Sequence, residues 1–253
     1  MSPANTMSLA LSSADNLLDA KAARRLARLL NPAPAFQAHL PGGAERARVE
    51  QYIAARFREV HGANIHDFMP VLLTMGCHGR TTAATGVRAA TRQPLFLEQY
   101  LSGPVEQSLG AAVGTAIPRA SIAEIGNLVA TQGGSSYLLF MVLTAILEQA
   151  GFDWVVFTAT PQVQKVLAYL GLGVHRLCSA DPGRLTESSA AEWGSYYASQ
   201  PQVVAGKVAN AMAVLNQRTL YSSVLSLFRG QITELAEVLR RESSRRGSYI
   251  LAA

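Results

Sequence analysis

Residues Ile122 to Leu172 limit the possible folds more than any other stretch of this chain. IAEIGNLVA (Ile122 to Ala130) has the composition of a strand, QGGSS from Gln132 that of a turn, and Tyr137 to Ala150 that of an almost wholly apolar helix. WVVFTAT (Trp154 to Thr160) follows as a second strand, and its near-continuous apolar run predicts burial on both faces. Gln162 to Leu170 then reads as a helix stopped by Gly171-Leu172-Gly173, and Val174 to Cys178 as a further strand. A strand passing through two glycines into a helix presents unpaired N–H groups and the positive end of the helix dipole, which together attract phosphate. Gly133 and Gly134 leave room for a close backbone approach, and Ser135 and Ser136 can cap the helix or donate to phosphate oxygens. The same residues also suit a plain capped helix. No GK[ST] ending or GxGxxG spacing is present.

Upstream, Arg46 to His61 is predicted as a helix, and Phe68 to Met75 and Ala83 to Ala90 as antiparallel strands joined by the CHGRT turn. LFLEQYL after Pro94 predicts one or two helical turns, and Val105 to Ala116 is weakly patterned. Leu17 to Leu30 spaces Leu17, Leu18, Ala22, Leu26, Leu29 and Leu30 on one side, with Arg24, Arg25 and Arg28 on the other. That basic amphipathic helix can pack plainly, or dock an acidic carrier protein or an anionic membrane face. Breakers at NPAPAF and LPGGAE predict a linker, so the expected division is a helical segment over 1–43, a main domain over 44–210 and a C-terminal helix with a basic tail over 211–253. Tyr221 to Arg241 is the predicted long helix, and Arg245 and Arg246 lie in the tail. Antiparallel strands followed by strand-helix units imply an α/β or α+β domain around a mixed sheet.

With 49% apolar and 15% charged residues, the chain can bury a sizeable core. Its formal charge of +5 favours an acidic partner: a phosphate-bearing cofactor, a carrier protein or an anionic membrane. The basic residues are not interleaved with exposed aromatics, so no nucleic-acid partner is expected. The opening residues lack a basic start with a sustained apolar run, and the apolar run Tyr137 to Leu147 falls short of the roughly 20 residues a bilayer span needs, so a soluble cytoplasmic protein is expected. Cys77 and Cys178 are expected as free thiols, and His61, His66 and His175 show no metal-ligand spacing. Cys77 and His78 are strand neighbours that point to opposite faces, which disfavours a nucleophile-base pair. Trp193, Tyr196 and Tyr197 can wall a pocket, although aromatics at this spacing more often belong to the core.

Gln132, Gly133 and Gly134, together with Tyr169, Leu170, Gly171 and Leu172, resemble the core of the Gcn5-related N-acyltransferases (GNAT). In that family the turn holds the pyrophosphate of coenzyme A, and a later helix ends in a leucine-glycine step. Here Gln132 is followed by GGSSY, and Leu167 occupies the place where many members carry a tyrosine acid. The blocks ATGVRAA, PLFLEQYL, AEIGNLVA, WVVFTAT, YLGL, SADPGRL and WGSYY, from Arg56 to about Gly206, resemble the thermostable hemolysin family. That family is similar in turn to acyl-homoserine-lactone synthases and N-acyl amino acid synthases.

The resemblance implies a GNAT-like mixed sheet flanked by helices, with N- and C-terminal helical extensions. It also implies transfer of an acyl group from a phosphopantetheine thioester to an amine or amino acid. The thioester would be carried by an acyl carrier protein or coenzyme A, and the irregular glycine spacing favours the carrier protein. No tightly bound cofactor and no metal are expected. In this reading Glu124, buried in its strand, acts as general base, and Arg88 binds a substrate carboxylate. Glu98 orients Arg88 or the amine, and the backbone N–H near Leu128 or Val129 polarises the thioester. Glu124, Arg88 and Glu98 can equally form a structural ion-pair network. Two other readings stand beside the enzyme: a cytolytic protein with peripheral membrane contact, and a non-catalytic binding relative on the same fold.

Overall fold

The computed structural model describes Arg24 and residues 30–244 except His78, Arg92, Gln132 and Gly133. The helix expected over 17–30, apart from Arg24 and Leu30, lies outside these residues, as do Arg245 and Arg246 of the basic tail.

The strands are β1 (Ala35–His39), β2 (Val71–Cys77), β3 (Arg80–Ala89), β4 (Ile122–Ala130), β5 (Trp154–Ala159), β6 (His175–Ser179) and β7 (Gln202–Lys207). They form one mixed sheet in the order β1-β2-β3-β4-β5-β7-β6. Around it lie α1 (Arg46–His61), α2 (Val105–Val113), α3 (Ser135–Ala150), α4 (Pro161–Leu170), α5 (Glu187–Glu192), α6 (Val208–Gln217), α7 (Thr219–Leu227) and α8 (Arg229–Ser244). The fold is α/β, one mixed sheet flanked by helices.

The apolar composition of α3 follows from its place in the middle of the core. Leu138, Leu139, Met141, Val142 and Ile146 are buried together with Leu73, Val87, Ala123 and Ile125 of the sheet and with Ile232, Leu235 and Leu239 of α8. A helix apolar all round needs cover on all sides, and the sheet and the C-terminal helices supply it. On the other face, Val49, Ile53 and Phe57 of α1 pack on Leu72, Ala84 and Val129. Strand alternation places Ala123 and Ile125 toward α3, and Glu124, with Arg88 opposite it in register, toward the other face.

Two features of β4 open the sheet. Its parallel pairing with β5 covers only Ile122–Glu124 against Trp154–Val156, after which β4 pairs with β3 alone and β5 with β7. Between Val129 and Gly126, β4 spends one residue more than β3 does between Ala84 and Gly86, which makes a bulge at Asn127 and Leu128. Asn127 has φ 48, a left-handed conformation that asparagine tolerates better than most residues. Its amide also ties down the preceding loop: Oδ1 accepts from Met69 N at 2.9 Å and Nδ2 donates to Asp67 O at 3.2 Å.

The structure departs from the sequence reading in three places. The stretch read as a linker contributes β1, an edge strand paired antiparallel with β2. Gln202–Lys207, not expected as a strand, is β7 and sits inside the sheet between β5 and β6. The single long C-terminal helix is broken between α7 and α8 at Phe228 (φ −103, ψ 9). The break lets Phe228, 1% exposed, meet Phe36 of β1 edge-on at 5.2 Å, a contact a continuous helix does not guarantee.

Candidate active site

Where β4 and β5 part, a cavity of about 490 Å³ opens. Its lining includes Arg88, Glu124, Leu128, Val129, Gly134 and Ser136. Ser135 is fully buried behind it, with an Oγ that has no hydrogen-bond partner among the described residues. Gln132 and Gly133 lie outside the described residues. Gly134 (φ 99) adopts a conformation that favours glycine, and among the described residues no side chain caps the first turn of α3.

Glu124 is 2% exposed. Its carboxylate accepts the backbone N–H of Leu97 at 3.0 Å and of Phe96 at 3.2 Å, both from the 3-10 turn Phe96–Tyr100. Burial pushes its carboxyl above the usual carboxylate range, while the two amides and the nearby Arg88 pull the other way without cancelling it. Arg88 stands opposite Glu124 in the β3–β4 register and donates to Pro94 O at 3.4 Å, a long contact. A cation and a carboxylate therefore face the cavity side by side.

Glu98 is placed elsewhere and does not join Arg88. Arg119 grips its carboxylate at 2.6 and 2.9 Å, and the N–H groups of Leu95 and Val105 donate to it at 2.7 and 2.8 Å. Burial opposes ionisation, but these bonds outweigh it and hold the carboxyl at about 2. Arg119 also bonds Glu106 at 2.7 Å and Ala90 O at 2.9 Å. Glu98 thus staples the turn that clamps Glu124.

Above Glu124 the wall is aromatic. Trp193 meets Phe96, Phe57 and Tyr196 at 5.6, 5.9 and 5.1 Å between ring centroids, and Tyr196 meets Tyr197 at 5.2 Å. Tyr100 shares a hydrogen bond with Tyr197, hydroxyl to hydroxyl, at 2.5 Å. The three aromatics of the WGSYY stretch are therefore both a packed cluster and cavity wall. Leu167, at the tyrosine position of the GNAT pattern, is 4% exposed, and Tyr169 packs against Tyr137 at 4.9 Å. Among the described residues no group of three or more His, Cys, Asp or Glu is placed to hold a metal, and Cys77 and Cys178 are free thiols.

Met69 seals the floor. A Cβ at Gly86 would stand 2.6 Å from Met69 Cβ, and one at Gly126 2.7 Å from Met69 Cε, so both glycines make room for this side chain. Arg119, Tyr100, Met69 and Asn127 were not among the residues singled out from the sequence. Only Asn127 left a trace there, as a polar residue after glycine inside an apolar strand.

The splayed parallel strands β4 and β5, the bulge on β4 and the start of α3 together make one open cleft in a mixed sheet. The model of the thermostable hemolysin family matches residues 40–212, and the chain belongs to that family. No curated protein sequence matches it. Solved structures of similar fold include the AHL synthase LasI, at 14% identity and TM-score 0.48, covering 70% of this chain and 90% of that one. The CoA-dependent acyl-homoserine lactone synthase BjaI, with SAM and isopentyl-CoA, is 13% identical with TM-score 0.48 over 79% and 90% of the two chains. FeeM, an N-acyl amino acid synthase from uncultured soil microbes, is 12% identical with TM-score 0.48 over 72% and 94%.

Proposed function

We propose that this chain is an N-acyltransferase that moves an acyl group from a phosphopantetheine thioester to the amino group of an amino acid or related amine. The observation that carries the reading is the placement of Glu124: buried, raised in pKa, and open to a cavity that continues along β4 to the start of α3. In this reading Glu124 takes a proton from the acceptor ammonium, directly or through a water. Arg88 binds the acceptor carboxylate, and the aromatic wall covers the acceptor side chain. The backbone N–H near Leu128 or Val129, just past the bulge, donates to the thioester oxygen as negative charge develops there. Ser136 and the N-terminus of α3 receive the phosphate of the donor, and the acyl chain lies against Phe140, Phe157 and Val163 on the cavity wall. The carrier is an acyl carrier protein or coenzyme A, and the positive net charge suits either.

The family name records haemolysis. Among the described residues no helix is long and apolar enough to cross a membrane.

The test is incubation with octanoyl-acyl carrier protein or octanoyl-coenzyme A and the protein amino acids, with mass spectrometry of the products and a liposome-leakage assay in parallel. Acylated amino acid is expected from the wild type, with kcat lowered by about 10²- to 10⁴-fold in Glu124→Gln. Turnover in that variant equal to wild type removes Glu124 from the mechanism. Leakage without acyl transfer overturns the enzyme reading.

A further inference from the structure

A base that is 2% exposed has to return the proton it takes at every turnover. When an ammonium reacts with a thioester, the C–N bond forms and the C–S bond breaks. One of the ammonium's three protons stays on the amide nitrogen, one ends on the sulfur, and one must leave for solvent. Glu124 is enclosed by the Phe96–Tyr100 turn, whose N–H groups of Phe96 and Leu97 occupy its oxygens. The last residue of that same turn is Tyr100, 6% exposed and lining the same cavity. Its hydroxyl meets that of Tyr197 at 2.5 Å, and Tyr197 is half-buried, a step nearer the outside. Glu124, Tyr100 and Tyr197 line the same cavity, and the two hydroxyls are hydrogen-bonded to each other.

We propose that the Tyr100–Tyr197 hydroxyl pair relays the proton from Glu124 to solvent, an inference that rests on the acyl-transfer reading above. Glu124 gives its proton to Tyr100 Oη, directly or through one water, as Tyr100 gives its own to Tyr197 Oη and Tyr197 gives its own to bulk water. Each phenol ends neutral, and the carboxylate is restored for the next acceptor. Burial raises both phenols, Tyr100 well above the usual tyrosine range with the Glu124 charge adding to the rise, and the hydrogen bond from Tyr100 partly offsets it at Tyr197. The other groups bearing on the relay are Arg88 of β3, Glu98 of the turn, and Tyr196, whose hydroxyl burial also raises. A dyad serving only to satisfy two buried hydroxyls would contribute to stability and nothing to proton release.

The experiment compares wild type, Tyr100→Phe and Tyr197→Phe with octanoyl-coenzyme A, octanoyl-acyl carrier protein and the acceptor found for the wild type, with and without added imidazole. The relay predicts kcat reduced by about tenfold or more in each variant at unchanged acceptor KM, with imidazole restoring a large part of the loss by carrying the proton itself. It also predicts a solvent deuterium isotope effect on kcat that is larger in the variants than in the wild type. Phenylalanine variants with wild-type kcat, or with a loss that imidazole leaves untouched, overturn the relay while leaving acyl transfer standing. No turnover in the wild type with either donor overturns the acyl-transfer reading and the relay with it.

Discussion

Replacing Glu98 by glutamine keeps an acceptor oxygen for only one of the N–H groups of Leu95 and Val105, which now donate to different carboxylate oxygens, and removes the charge that Arg119 grips at 2.6 and 2.9 Å. In the folded protein the carboxyl lies at about 2, against 4.5 for an unperturbed glutamate. A group depressed on folding adds stability above its unfolded pKa, and that stability is lost as pH falls through the folded value. The full shift corresponds to ~3.4 kcal/mol at ~1.36 kcal/mol per pH unit, and solvent screening at the partly open edge of the pair lowers this to about 2 kcal/mol. Wild type should therefore exceed Glu98→Gln by about 2 kcal/mol in urea unfolding near pH ~7 and by less than half that near pH ~3. Glu124 contributes with the opposite sign, because its carboxyl is raised and costs stability as pH rises. It is present in both proteins, so the difference between them isolates Glu98. A gap that is constant across this pH range would falsify the assignment of the stabilisation to the ionised pair.

Two further outcomes follow from contacts at the site. Gly86→Ala places a methyl against Met69 Cβ and Asn127 Oδ1, neither of which can swing aside, and should destabilise by about 2 kcal/mol in urea unfolding. Gly126→Ala meets only the mobile end of Met69 and should cost less than Gly86→Ala, so the reverse order would count against Met69 as the floor. Arg88→Met should raise the KM of a carboxylate-bearing acceptor by about 10- to 100-fold, the worth of one charged hydrogen-bonded contact, with a much smaller change in kcat. An unchanged KM would remove Arg88 from acceptor binding.

The sequence by itself determined the local elements whose signals are local. The apolar run of Ile122–Ala130 made β4, the breakers at Gly171 and Gly173 ended α4, and the almost wholly apolar stretch from Tyr137 to Ala150 marked a buried helix. It also singled out Glu124 and Arg88, through the family resemblance, and both line the cavity. What it could not show were the contacts made across long stretches of chain. Glu98 and Arg119 are separated by 21 residues and meet only because the turn before α2 folds back over β4, so the carboxylate expected beside Arg88 became the staple of that turn. Tyr100 and Tyr197 are 97 residues apart, and β7 is a strand only because β5 and β6 offer it edges on both sides. Strand pairing and side-chain meetings of this kind depend on which surfaces tertiary packing brings together, and periodicity along the chain carries no record of that.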